Sequence, residues 1–147
     1  YKRQLGDTAG TAYTLYVLGL ALHGLGRHQE AVDRYRECRT LAAHAGRRDR
    51  EALAGIRLAD SLLALAQPAL AVAEAEAALA ITVETGAQRD QGYALVALGR
   101  ALAELGHLTP SQERLHEAHT IFERLGLPDV ADVATLLGEL VAPQAVG

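Results

Sequence analysis

Leu15, Leu18, Gly19, Leu22 and Leu25 recur at the i, i+3, i+4, i+7 spacing of one buried helix face. After Gly26-Arg27 a second run, about 29–45, sets Ala31, Val32, Tyr35, Cys38, Leu41 and Ala42 on one face and charged residues between them. Two amphipathic helices joined by so short a turn pack antiparallel. The pattern then returns 40 residues on, and again after another 40.

The repeat is visible column by column. Glycines stand at Gly6, Gly46, Gly86 and Gly126, each after a helical run, where a residue able to take positive φ ends a helix. A second turn column is Gly26, Ala66, Gly106. Between the turns lie Leu18, Leu58, Leu98; Gly19, Ala59, Gly99; Leu22, Leu62, Leu102; and Leu25, Leu65, Leu105. The later half holds Ala31, Ala71, Ser111; Cys38, Ala78, Ala118; and Leu41, Ile81, Ile121. Small residues in the Gly19 and Cys38 columns allow close helix approach. The chain therefore reads as helix pairs at 7–46, 47–86 and 87–126, stacked into an all-α superhelix. Residues 1–6 match the end of a preceding second helix, and the chain does not begin with Met, so it reads as part of a longer array. Residues 127–147 hold one more helix, about 129–141, with Val133, Leu137 and Leu140 on an apolar face expected to cap the last repeat. Thr109-Pro110-Ser111-Gln112 predicts a helix start with Thr109 as N-cap and Gln112 closing a capping box.

Composition narrows the class. The 147 residues include 29 Ala and 25 Leu, both strong helix formers, against four Pro and one Phe, which argues against a sandwich or barrel. One Cys excludes an internal disulfide framework. The apolar runs fall short of a membrane span and no signal peptide opens the chain, which points to a cytoplasmic protein. A net charge of −4 argues against a nucleic-acid-binding domain.

Leu18-Gly19, Leu22, Ala31, Tyr35 and the small Cys38 follow the order and spacing of the tetratricopeptide (TPR) signature, so the chain resembles a TPR array. Its repeat has 40 residues where the standard one has roughly 34, and Ala43-His44-Ala45-Gly46 stands where the usual Pro would be. Leu98-Gly99-Arg100-Ala101-Leu102 and Leu105-Gly106-His107 resemble the C-terminal TPR arrays of large actinobacterial regulators, the Streptomyces antibiotic regulatory proteins and related nucleotide-binding STAND proteins. The excess of Arg over Lys, 13 to 1, suits a GC-rich genome. That resemblance implies a regulatory module placed after a DNA-binding domain and an ATPase. The alternative is a stand-alone TPR scaffold or adaptor.

The residues themselves suggest little chemistry. His116-Glu117-Ala118-His119 is one residue short of HExxH, and Glu113 with His116 lacks the second Glu-x-x-His step of a di-iron bundle. His116 shares its column with Arg36 and Glu76, a solvated position. Cys38 reads as a packing residue, Ser61 as a core residue in an alanine column, and Ser111 as a first-turn residue. No phosphate loop is present. No catalytic residue, metal or cofactor is expected. The basic clusters Arg34, Arg36, Arg39 and Arg47, Arg48, Arg50 are interleaved with acids and read as solvated faces.

The surface is what remains. First helices line the concave side of a TPR stack. The stripe beside their core stripe holds Tyr13, Tyr16 and Leu20 in repeat one, Arg57 and Asp60 in repeat two, and Tyr93 and Arg100 in repeat three. An aromatic lining with few charges suits a peptide or helix groove. These seven residues are the expected partner-binding set, although inter-repeat packing would use the same stripe. Asp60 and Arg100 share a column and are expected to pair. The basic carboxylate clamp of TPR co-chaperones is not reproduced, since Leu20 and Asp60 occupy its amide positions. The expected partner is a protein or peptide, including other domains of the parent chain, with neither nucleic acid nor membrane contacted by this segment.

Overall fold

A computed structural model describes residues 2–146, with side chains described for 7–141. It contains seven helices: α1 (Lys2–Gly24), α2 (His28–His44), α3 (Arg48–Ala64), α4 (Pro68–Thr85), α5 (Gln88–Glu104), α6 (Leu108–Leu125) and α7 (Asp129–Val146). Each packs on the next in chain order; α1 also touches α3, and α3 touches α5. The second helices α2, α4 and α6 do not form a matching contact series. α1, α3 and α5 therefore converge on the inner, concave side, and the even-numbered helices fan outward.

The turns explain the period. Gly46, Gly86 and Gly126 take φ of 71°, 72° and 68°, and Gly26 and Gly106 take 79° and 80°. In each case the next residue's N–H reaches back five residues to a helix carbonyl, as Arg27 does to Leu22 at 2.9 Å and Leu127 to Phe122 at 2.9 Å. Ala66 makes the same turn at φ 57° with a side chain that disfavours it.

Within a pair, bulk on one helix meets a glycine on the other. A Cβ on Gly19 would lie 2.5 Å from the Tyr35 ring, and one on Gly99 2.8 Å from Leu115 Cγ. Between those repeats the same two columns hold Ala59 and Ala75, both fully buried. A second exchange pairs Gly92 with Phe122, whose ring would be 2.4 Å from an added Cβ. The core falls into clusters that the half-buried Leu79 packs against: one runs from Ala12 through Leu58 and Leu62 to Leu98, one joins Leu95 and Leu115 to Phe122 and Val133 of α7, and a small one holds Ile56, Ala78 and Ala94.

Three local expectations need correction. α1 runs unbroken through Gly6, so no helix ends there; Tyr1 lies outside the described residues. α7 continues past 141 to Val146. The capping box at Thr109 is not formed: α6 starts two residues earlier, after His107 in the N-cap place, and has no side-chain cap. The Ser111 hydroxyl instead donates to the Gly99 carbonyl at 2.6 Å and binds α6 to α5.

Candidate functional site

The inner face carries alternating tyrosines and arginines. The Arg50 guanidinium lies 4.9 Å from the Tyr13 ring centre and 5.2 Å from that of Tyr16. Arg57 Nε–H donates weakly to the Tyr16 hydroxyl at 3.4 Å and sits 6.0 Å from the Tyr93 ring. Arg89 lies 5.7 Å from the centre of the same ring and donates to the Tyr93 hydroxyl at 3.3 Å. A cation over an aromatic face is attracted by the ring quadrupole, so the ladder keeps its guanidinium groups in place without neutralising them. Burial works against the charge on Arg57, but the Tyr16 hydroxyl and the Asp60 carboxylate outweigh it and raise its pKa.

The seven expected groove residues differ in character. Tyr13 and Leu20 are exposed, Arg100 is exposed, and Arg57, Asp60 and Tyr93 are half-buried. Tyr16 is a core residue, 8% exposed, with its ring 6.2 Å from that of Tyr35. Tyr93 is anchored from behind by Phe122 at 5.4 Å. The stripe thus divides: Tyr16 and Ile56 pack, while Tyr13, Leu20 and Arg100 face outward. Asp60 does not form the expected ion pair with Arg100. Its partner is Arg57, three residues earlier on the same helix, at 3.6 Å. Burial pushes the Asp60 carboxyl above the ordinary carboxylate range, against the pull of Arg57 and Arg100.

Arg50 and Arg89 were not foreseen as part of this face. Arg50 lies one turn before the stripe, in the column Gly10, Arg50, Asp90, where the residue type changes at every repeat. Extending the stripe by one turn was the only signal for it.

A polar link ties α1 to α3. His23 Nδ1 is 2.9 Å from the Ser61 hydroxyl and 3.2 Å from His28 Nδ1. A bare His23 Nδ1 has one in-plane lone pair, which accepts from the Ser61 O–H, the shorter of the two contacts. Burial, then the neighbouring His28, lowers the His23 pKa, which favours that neutral form. Ser61 is fully buried, so this hydroxyl serves packing. Cys38 is also fully buried, with its thiol pushed up by burial. Among the described residues no three His, Cys, Asp or Glu side chains converge as metal ligands, and no helix is long and apolar enough to cross a membrane.

Comparison with known proteins bears on the fold. No family model matches the sequence. The chain is 31% identical over 141 residues to the regulatory protein AfsR of Streptomyces griseus, an alignment covering 91% of this chain and 14% of AfsR. In structure it is similar to the apo form of RapI, with TM-score 0.85 and 14% identity over 95% of this chain and 39% of RapI. It also matches the C-terminal TPR-containing domain of an FK506-binding protein from Plasmodium falciparum, with TM-score 0.76 and 18% identity over 96% and 93% of the two chains. A kinesin light chain protein of Podospora anserina with TPR-like repeats gives TM-score 0.75 and 20% identity over 87% and 64%. The fold is that of TPR proteins, whose arrays serve as protein-interaction modules, and these comparisons indicate no enzyme family.

Proposed function

We propose that this array is a protein-interaction and sensor module that holds a peptide or helix in its concave groove, and that it forms part of the C-terminal regulatory region of a cytoplasmic, Streptomyces-type transcriptional regulator. The observation that carries the groove reading is the open ladder of Tyr13, Arg50, Arg57, Tyr93 and Arg89, whose guanidinium groups are held over rings, Arg57 also meeting the Asp60 carboxylate at 3.6 Å. Aromatic and Arg side chains are the residue types that dominate binding energy at interfaces. The similarity to AfsR supports the regulator reading. In that setting the array senses or restrains while other parts of the chain act on DNA.

The groove is tested by selecting peptides on the folded array and titrating them against variants. Tyr13→Ala and Tyr93→Ala should each weaken binding by about tenfold or more, near 1.4 kcal/mol. Tyr16→Ala is a poorer probe because Tyr16 is in the core. Selected peptides that bind both variants like wild type place the site elsewhere. The regulator reading is tested by the reading frame upstream, which should encode a DNA-binding domain and a phosphate loop; a frame with neither leaves the adaptor reading.

A further inference from the structure

Polar atoms from three helices gather where the first helix pair meets the second. His23 stands near the end of α1, His28 opens α2 after the turn, and Ser61 belongs to α3. Their shared point is His23 Nδ1, which is 2.9 Å from the Ser61 hydroxyl and 3.2 Å from His28 Nδ1. The two rings meet edge to face, with centres 4.7 Å apart and planes at 65°. Ser61 is fully buried; it packs α1 on α3 and turns its hydroxyl to the same nitrogen.

Hydrogen bonding alone leaves this cluster one partner short. A ring nitrogen offers either one lone pair or one proton in the ring plane. When His23 Nδ1 is bare, the Ser61 O–H fills its lone pair and the His28 nitrogen finds no acceptor there. When His23 Nδ1 carries a proton, that proton points at one neighbour and leaves the other. A single cation between the rings removes the conflict, because it takes a lone pair from each nitrogen and a weaker one from the hydroxyl. The spacing suits such an ion. Zinc–imidazole bonds of about 2.0–2.1 Å at a tetrahedral angle hold two ligand nitrogens about 3.3–3.4 Å apart. The 3.2 Å between the two Nδ1 atoms meets that spacing with almost no movement.

The surroundings allow an ion to enter. His23 and His28 are half-buried, and His23 lines a cleft of about 240 Å³ with Asp60, Arg100 and Glu104 on its walls. Water from that cleft can complete a shell of four ligands. The acids Asp60 and Glu104 are offset by Arg57 and Arg100, so attraction rests on the imidazole donors and not on a charged pocket. Burial and the nearby His28 hold His23 towards its neutral form, the form that coordinates. Neutral imidazoles select zinc, copper or nickel over magnesium and calcium, which favour oxygen ligands.

We propose that His23 and His28, with the Ser61 hydroxyl as a weaker third donor, bind a divalent transition-metal ion of the zinc class through Nδ1 of both rings. The bound ion ties the α1–α2 turn to α3 and gives the array an inorganic input that is independent of the peptide groove. Sequence spacing hides the site, because five positions and a helix turn separate the two histidines.

The test is calorimetric titration of Zn²⁺ into the tag-free, metal-stripped chain, with nitrogen NMR of the imidazole rings. Zn²⁺ should bind saturably, shift the Nδ1 resonances of two histidines, and raise the melting temperature by mass action. His23→Gln and His28→Gln should each weaken binding at least about tenfold, since losing even an outer partner of a metal ligand costs about 10–100-fold. Ser61→Ala, which installs the residue that Ala21 and Ala101 hold in that column, should keep the fold and weaken binding about threefold. Binding that survives His28→Gln and is lost in His116→Gln places the ion on α6 and overturns the proposal. Absence of saturable Zn²⁺ uptake by the wild-type chain also overturns it, and neither result touches the peptide titration above.

Discussion

Leu18 of α1 and Leu98 of α5 stand in the same column of the repeat, yet Leu98 is 5% exposed and Leu18 is 43% exposed. The contrast holds along the whole face. Thr14 and Ala21 are exposed, whereas Ala54, Ser61, Ala94 and Ala101 in their columns are buried. The reason is the neighbour: α2 lies against α3 and α4 against α5, while no described helix lies against the outer face of α1. The side of α1 that meets its own partner is as tight as in the other repeats, with Gly19 under Tyr35. Composition makes the helix, and the adjoining repeat decides which of its leucines are core.

Removing a neighbour at the other end should break the contrast by making α6 resemble α1. Val133 is fully buried, and Leu136, Leu137 and Leu140 pack on the same cluster as Leu115 and Phe122. Deleting 128–147 should cost several kcal/mol, at about 1.5–3 kcal/mol per buried Leu or Val. Thermal and urea melts read the loss. An unchanged melting temperature would show that α7 does not stabilise the stack.

Leucine truncation sharpens the comparison directly. Leu98→Ala should cost about 2–5 kcal/mol, and Leu18→Ala less than half of that, because the exposed site leaves no sealed cavity. Equal costs would mean that α1 is covered in solution. Glycine gives the same contrast on a smaller scale. Gly92→Ala should destabilise by about 1–3 kcal/mol through the collision with Phe122. Gly10→Ala, with open space around it, should stabilise by about 0.4–1 kcal/mol.

Acidification acts on the α1–α3 join. His23 has a lowered pKa in the folded chain, so between that value and the unfolded value near 6.5 the unfolded state binds more protons. Stability is therefore full above about pH 6.5 and falls as pH drops below it. His23→Gln should flatten that slope in a melting-temperature series against pH. An effect of the same size as that at Gly10 is expected at the turn: Ala66→Gly should relieve the left-handed strain and stabilise by roughly 0.5–1 kcal/mol, net of the entropy of glycine.

The period, the helix pairs and most of the core were legible because turns and packing columns recur at 40 residues. Compensations between columns were not. Gly92 looks like an isolated helix breaker until Phe122 is set against it, and that pairing appears only once α5 and α6 are placed side by side. The break read at Gly6 came from extending the glycine column to the first residues, where the helix instead continues. On the inner face, the column stripe brought Tyr16, Arg57 and Tyr93 together. It missed Arg50 and Arg89, which reach the rings from a turn where the columns vary. The Asp60–Arg100 pair failed because a residue three positions away on the same helix competes better than one on the next repeat.

Amide hydrogen exchange on the folded chain tests most directly the claim that stacking sets what is buried. Under conditions where opening is rate-limiting for neither helix, protection reports local stability. The slowest exchange is expected in residues 52–62 of α3 and 92–101 of α5, with residues 12–22 of α1 exchanging markedly faster despite the matching sequence pattern. Protection of α1 equal to that of α3 and α5 would contradict it.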